Sequence, residues 1–421
     1  MAVTRRFFLK SSGLAMVSLA SAPAFLQRTA LGQTSKSGRS DSPVIIAIFQ
    51  RGAADGISMV VPFGDKHYYD FRPQIGIPQP TKGKDEVVID LDGFFGLHPQ
   101  LAAFKPLYDS GNLAIVHAAG SPDSTRSHFD AQDYMESGTP GSKSTNDGWL
   151  NRFMQVKRER NASAFRAVAF SPNLPRSLAG PAPAIAMTNI ADFGVRGGAG
   201  GGQVAQGFEA LYSDGLTDLL HGTGKETFEA IKTLKAANPQ QYKAENGANY
   251  PKTPFGRSLF QIGQMVKANI GLEVAFTDVG GWDTHVNQGA ARGQLANRLQ
   301  DFSQSIAALY TDLGDRMRNV VIVTMTEFGR TMKQNGSGGT DHGHASCLFA
   351  LGGPVKGGKV YGKWPGLANE QLYEGRDLAL TTDFRNVFAE VAVRHMGAAN
   401  PNAIFPGFSV NTSNFRGLIR A

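Results

Sequence analysis

The stretch Val44-Ile45-Ile46-Ala47-Ile48-Phe49-Gln50-Arg51-Gly52 decides the fold. Six consecutive apolar residues have the length of a strand, and no polar residue interrupts them to face water. The segment therefore reads as a central strand covered on both faces. The Gln-Arg-Gly that ends it marks a turn. Similar runs recur at Leu113-Ala114-Ile115-Val116-His117-Ala118, Leu272-Glu273-Val274-Ala275-Phe276 and Val320-Val321-Ile322-Val323-Thr324-Met325. Each follows a segment of helical pattern, over residues 100–108, 253–269 and 289–318 respectively. Strands alternating with helices predict an α/β layered fold whose mostly parallel central sheet carries helices on both faces. The expected extent is a single large domain over residues 43–421.

Composition agrees with a packed chain. Of 421 residues, 41% are hydrophobic and 18% charged, which excludes a disordered or fibrous protein. The 50 glycines point to many tight turns. Cys347 is the single cysteine, so an internal disulfide framework and a Cys-rich zinc or iron-sulfur site are excluded. Metal ligands would have to be His, Asp or Glu.

The N-terminus reads as an export signal. Thr4-Arg5-Arg6-Phe7-Phe8-Leu9-Lys10 precedes a mostly apolar stretch and the small-x-small site Ala22-Pro23-Ala24. Paired arginines followed by Phe-Phe-Leu-Lys look like a twin-arginine signal over residues 1–24, read by the twin-arginine translocase. The apolar run is shorter than the roughly 20 residues that span a bilayer. Residues 25–42 read as a flexible linker, and the mature protein is expected in the periplasm or outside the cell. Removing residues 1–24 takes away Arg5, Arg6 and Lys10 and no acid, so the formal charge falls from +7 to +4. That is too mild to argue for nucleic acid, and no later apolar run argues for a membrane. A Gly-rich loop at 196–202, a polar helical stretch at 225–236, and the lack of a phosphate-binding Gly motif complete the survey.

Open α/β sheets bind ligands beyond the carboxyl ends of their strands, and that rule sorts the polar residues. After the first strand comes Asp55, which reads equally as a metal ligand or as an Asx turn before Gly56. After the second come Ser124, Thr125, Arg126, Ser127 and His128. Ser127 starts a helix, either as an ordinary N-cap or as an oxygen nucleophile favoured by free N–H groups and the dipole. His128 is a ligand or a proton carrier, whereas His98 and His117 read as structural. After the third strand, Asp283 and His285 stand two residues apart, a spacing that lets both reach one divalent ion. After the fourth come Glu327 and Arg330, a carboxylate that needs a cation or a metal, and then Asp341-His342-Gly343-His344, the most ligand-like cluster in the chain.

Taken together these motifs resemble a family. Phe49-Gln-Arg-Gly-Ala-Ala-Asp-Gly56, Tyr69-x-x-Arg72-Pro73, Arg126-Ser-His-Phe129, Gly280-Gly-Trp-Asp-Thr-His285, Thr326-Glu-Phe-Gly-Arg-Thr331 and Gly339-Thr-Asp-His-Gly343 look like the secreted bacterial domain of unknown function 1501 family. That family is grouped with the alkaline phosphatase and sulfatase superfamily. The resemblance implies an alkaline-phosphatase-like fold with one or two divalent ions (Zn, or Mg, Mn or Ca) at strand ends. It places Asp55, Asp283 and His285 as ligands and Ser127 as the nucleophile. The superfamily's Asp-His pair after the fourth strand is here Glu327-Phe328. Either Glu327 replaces the Asp, or Asp341 and His342 supply the pair, with His344 as the last His. The implied activity is hydrolysis of phosphate or sulfate esters, on a small anionic ester or a sulfated or phosphorylated polymer, with Arg126 or Arg330 clamping the anion. The alternative is a secreted binding or assembly protein that keeps the fold with a degraded site.

Overall fold

The computed structural model describes residues 42–157, 162–190 and 242–420. The signal segment, all but the last residue of the linker, the Gly-rich loop and the polar helical stretch lie outside the described residues.

The apolar runs become strands of one sheet. It is built from β1 (Val44–Gln50), β5 (Leu113–Gly120), β6 (Ala167–Phe170), β7 (Ile185–Met187), β8 (Val274–Val279), β9 (Val320–Met325), β10 (Ser346–Gly352), β11 (Lys359–Tyr361) and β12 (Thr382–Asp383). A small second sheet holds β2 (Val60–Val61), β3 (Ile89–Asp90) and β4 (Gly96–Leu97). The large sheet runs β11-β5-β10-β9-β1-β8-β6-β7, with β12 also paired to β5. β1 lies between β8 and β9, parallel to both, with Ile46 opposite Ala275 and Ile322. Only β10 runs against its neighbours. Its first residues therefore share an edge with the carboxyl ends of the others.

Alternation along each strand divides the core into two layers. Ile46 and Ile48 of β1, with Ile115, Ala275 and Ile322, pack under helices α3 (Pro254–Ala268) and α4 (Gln294–Leu313). Ile45, Ala47 and Phe49, with Val116, Phe276 and Val323, pack under α2 (Trp149–Val156) and α5 (Phe384–Glu390). Between β5 and α2 lies α1 (His128–Ser137). α3 begins where Thr253 accepts the Gly256 N–H ahead of Pro254, and ends at Asn269 in the left-handed region. It turns Phe255, Leu259 and Ile262 to the sheet, a spacing of one helical face.

Several expected boundaries move, for identifiable reasons. The helix expected over 289–318 is shortened at both ends, because Gly289, Gly293 and Gly314 hold positive φ and the last turns tighten into the 3₁₀ segment Gly314–Asn319. The helix expected over 100–108 is replaced by a 3₁₀ segment, Pro99–Phe104, kinked at Leu101, and a short α-helix, Lys105–Asp109, with Pro106 in its first turn. The third strand starts at Val274 rather than Leu272 and runs on to Val279. Among the described residues no helix is long and apolar enough to cross a membrane.

Candidate metal centre

The carboxyl edge of the sheet gathers three imidazoles. His128 opens α1 after β5, His285 follows β8, and His342 sits in the loop that enters β10. The Nδ1 atom of each ring faces an acceptor. His128 Nδ1 is 2.7 Å from Glu327 Oε1, His342 Nδ1 is 2.9 Å from the Arg126 carbonyl oxygen, and His285 Nδ1 is 3.2 Å from Asp341 Oδ1. A carbonyl or a carboxylate only accepts, so in each neutral ring the proton is on Nδ1 and the lone pair on Nε2.

Those lone pairs point at one another. His342 Nε2 is 3.0 Å from both His128 Nε2 and His285 Nε2. Asp283 Oδ1 lies 3.0 Å from His285 Nε2 and 3.3 Å from His342 Nε2, and its Oδ2 is 3.6 Å from His128 Nε2. A proton added to His128 would satisfy one of these contacts and leave the His285 to His342 contact unmet. A cation satisfies all of them. His128, Asp283 and His342 offer ligand atoms within 4.8 Å of one another, and His285 adds a fourth donor. The observed spacings bracket the roughly 3.3 Å that separates neighbouring ligands around a tetrahedral ion with bonds near 2.0–2.1 Å. The donor set fits a divalent ion.

Glu327 and Asp341, expected as ligands, instead meet the Nδ1 sides of His128 and His285, away from the point where the Nε2 atoms converge. Glu327 Oε1 is turned inward to Gly52 N–H at 2.8 Å and Gln132 Nε2 at 2.9 Å as well as to His128. Burial works to raise its pKa, but the hydrogen bonds from His128 and Gln132 hold it below the ordinary range. The same bond raises the pKa of His128, while burial lowers that of His342. Asp341 is held below its usual range by hydrogen bonds from Asn335 and His285. Carboxylates behind ligating imidazoles fix the tautomer and ring orientation.

Two other expected ligands stand apart. Asp55 is fully buried; its Oδ2 accepts from Arg72 Nη1 at 2.6 Å and Gln288 Nε2 at 2.7 Å, and it caps the one-turn helix Gly56–Met59. The Asx-turn alternative describes it. A strand-end Asp looks the same in sequence whether it binds metal or an arginine. His344 stacks on Tyr373 with ring centroids 4.3 Å apart, and only its carbonyl serves the neighbourhood, accepting from Gly329 N–H at 2.8 Å.

The two arginines expected to clamp an anion are already committed. Arg330 is buried and donates to the carbonyls of Ala53, Thr340, Gly52 and Trp282 and to Asp283 Oδ1. It ties three loops together. Arg126 Nη2 bonds Glu374 and Asp377, both at 2.7 Å. Ser127 occupies the N-cap position of α1 without capping it. Ser124 is exposed, and Thr125 Oγ1 accepts the Ser127 N–H at 3.2 Å. His98 and His117 are structural: each bonds a backbone carbonyl, and burial lowers each pKa to about 4.

Sequence reasoning missed Gln132 and Gln288. Gln132 lies four residues beyond His128 on the same helix face, a spacing that signals a shared partner. Gln288 accepts from Thr284 Oγ1 at 2.8 Å and Thr340 Oγ1 at 3.0 Å, joining the two ligand-bearing loops to the Asp55–Arg72 pair.

Fold and site thus define a layered α/β protein with a mostly parallel sheet and, at its carboxyl edge, a cluster of His and Asp side chains that could hold a metal ion. The chain belongs to the family described as "Protein of unknown function (DUF1501)", whose model matches residues 113–404. The Phe49–Gly56 and Tyr69–Pro73 motifs lie outside the matched span. No curated protein matches the chain. Among solved structures it is similar to the PsFucS1 sulfatase from Pseudoalteromonas sp., at 14% identity and TM-score 0.38, over 87% of this chain and 71% of that one. It is also similar to the lipoteichoic acid synthase LtaP from Listeria monocytogenes, at 8% identity and TM-score 0.29, over 72% of this chain and 61% of that one.

Proposed function

We propose that this protein is an exported, metal-dependent hydrolase of phosphate or sulfate esters built on one divalent ion. The observation that carries the reading is the set of three imidazoles whose Nδ1 atoms are each fixed by an acceptor and whose Nε2 atoms meet beside Asp283. Imidazole-rich donors favour zinc or a similar borderline ion over magnesium or calcium, which prefer all-oxygen sites. A bound ion would polarise the ester oxygen and stabilise charge developing on it.

The remaining roles fall to this chain's own side chains. His128, His285, His342 and Asp283 hold the ion, and Glu327 and Asp341 orient the first two rings. Ser127 is the attacking oxygen, set at the start of α1, where free N–H groups and the helix dipole suit an anionic ester. Its Oγ forms the new bond to phosphorus or sulfur as the bond to the leaving alcohol breaks, its proton ending on that alcohol by way of solvent; water then cleaves the Ser127 ester, releasing phosphate or sulfate and restoring the hydroxyl. Arg376, more exposed than Arg126 or Arg330 and bonded to the His342 carbonyl, would meet the anion.

Protein purified without chelator is expected to carry about one tightly bound divalent ion per chain. Ser127→Ala should keep that ion and abolish hydrolysis of p-nitrophenyl phosphate and p-nitrophenyl sulfate. Far less than one ion, or a full complement with no turnover by the native chain, would favour the binding or assembly alternative. Export by the twin-arginine route is tested by replacing Arg5 and Arg6 with Lys, which should hold the precursor in the cytoplasm.

A further inference from the structure

Three side chains of α1 point toward the ends of β1 and β9. His128, Gln132 and Glu136 follow one another at four-residue steps, so they stand in a row along one face of the helix. His128 Nδ1 meets Glu327 Oε1 at 2.7 Å, Gln132 Nε2 donates to the same oxygen at 2.9 Å, and Glu136 Oε1 lies 2.9 Å from Arg51 Nη2. Arg51 Nη1 also donates to Gln132 Oε1 at 3.1 Å. A guanidinium only donates and a carboxylate only accepts, so these two contacts fix which way the Gln132 amide faces. An unbroken chain of hydrogen bonds thus runs from Arg51 through Gln132 and Glu327 to a ring of the metal centre.

Arg51 is itself held from several sides. Its Nε donates to Asp278 Oδ2 of β8 at 2.5 Å, its backbone N–H donates to the Val279 carbonyl at 2.9 Å, and its guanidinium lies over the Phe49 ring, 4.4 Å from the centroid. The far oxygen of Glu136 accepts from the Ser177 N–H at 2.9 Å and the Ser177 hydroxyl at 3.0 Å, so the other end of the row is fixed as well. Apolar packing would do this poorly. The buried apolar side chains of α1 are Ala131 and Met135, too narrow a stripe to set the rotation of a ten-residue helix about its own axis. At the roughly 5–6 Å radius of a helix with its side chains, a rotation of about 10° carries an atom about 1 Å. That is about half the length of a metal–nitrogen bond.

We propose that Arg51 is a positioning residue of the metal centre: by clamping Gln132 and Glu136 it sets the rotation of α1 at which His128 Nε2 comes to stand 3.0 Å from His342 Nε2. Arg51 touches neither the ion nor the ester. This role rests on the ion-binding part of the hydrolase reading and not on ester cleavage. The probe is cobalt(II), whose visible absorption reports the geometry of its ligands, titrated into the metal-free full chain against a competing chelator. Arg51→Lys keeps the positive charge and loses the fork. Gln132→Met removes the link to Glu327 and leaves both ion pairs of Arg51 in place. Each should weaken cobalt binding by roughly 10-fold, the low end for a group behind a metal ligand, and alter the visible spectrum. Because the two residues act in series, the double variant should lose far less than the roughly 100-fold that independent effects would give. A merely structural role would lower the melting temperature and leave affinity and spectrum, read well below that temperature, at their native values.

Affinity within about twofold of native with an unchanged spectrum in either single variant, or losses that multiply in the double variant, would overturn the proposal. If Arg51→Lys does not fold, Gln132→Met decides on the same two readouts. A native chain that binds no cobalt refutes the ion centre and the role of Arg51 with it. Native cobalt binding that weakens in the variants supports that role even where p-nitrophenyl esters are not hydrolysed, a combination that counts against hydrolysis alone.

Discussion

Replacing Glu327 with Gln isolates the electrostatic part of the metal centre. Glu327 Oε1 accepts from Gly52 N–H, His128 Nδ1 and Gln132 Nε2 at 2.7–2.9 Å, and the amide oxygen of Gln can keep all three. Oε2 faces Thr326 Oγ1 at 3.2 Å. That hydroxyl already donates to the Gln50 carbonyl at 2.9 Å, so it is free to accept from the new amide. The substitution is thus close to isosteric, and what it removes is one negative charge behind His128. Loss of such an outer carboxylate typically weakens metal binding by about 10- to 100-fold, or about 1.4–2.7 kcal/mol. Competition between the protein and a chromophoric chelator for zinc measures this directly. Affinity within about twofold of the native value would mean that the charge does not tune His128. A loss as severe as that in His342→Ala would mean that Glu327 is itself a ligand, and would refute the tautomer reasoning.

Asp55→Asn should cost about 3–5 kcal/mol at pH 7, because it leaves Arg72 buried without its counter-charge. Burial opposes ionisation of Asp55, but Arg72, Gln288 and Ser58 hold its pKa below the usual range. Its contribution is therefore present above about pH 3.9 and lost as pH falls through the lower folded value, so urea unfolding should show the two proteins converging in acid. Equal differences at pH 7 and pH 3 would contradict this. Arg330→Lys removes a planar fork that serves four carbonyls and Asp283. Scanning calorimetry should show a melting temperature lower by more than about 5 °C. Gly52 holds φ +117 and a Cβ there would sit 2.7 Å from Asp283 N. Gly52→Ala should accordingly lower metal content as well as stability, and full metal content in that variant would count against the loop contact.

The layered sheet was legible because its central strands are covered on both faces, which leaves Val44–Phe49 without polar interruption and Val320–Met325 with only Thr324. β11 and β12 were not, being two or three residues long and defined by their partner β5 and not by any pattern of their own. The carboxyl-edge rule brought Asp283, His285 and His342 to one place from positions up to 59 residues apart. It could not separate ligands from the groups that orient them, since Glu327 and Asp341 differ from Asp283 only in which nitrogen of a ring they meet. Asp55 obeyed the same rule and still bonds an arginine, because its partner, Arg72, is carried to it by the fold around the second, smaller sheet.

In the proposed site, charge favours a divalent ion in particular. Asp283, Glu327 and Asp341 bring three negative charges within one or two contacts of the imidazoles, and Arg330 returns one positive charge through its bond to Asp283. The neighbouring Arg126, Arg376, Glu374 and Asp377 offset one another. Two negative charges therefore remain around three neutral rings. A monovalent cation would leave half of that field in place, and protonating His128 would charge one ring while leaving the lone pairs of the other two opposed. One divalent ion cancels the excess and occupies every converging lone pair at once. Carboxylates and imidazoles that repel without it should make the metal-free protein less stable than the loaded one, by an amount that grows with ion concentration as linkage requires. A melting temperature that does not rise with added zinc, in protein stripped by chelator, would show that the charges are balanced by something other than a metal.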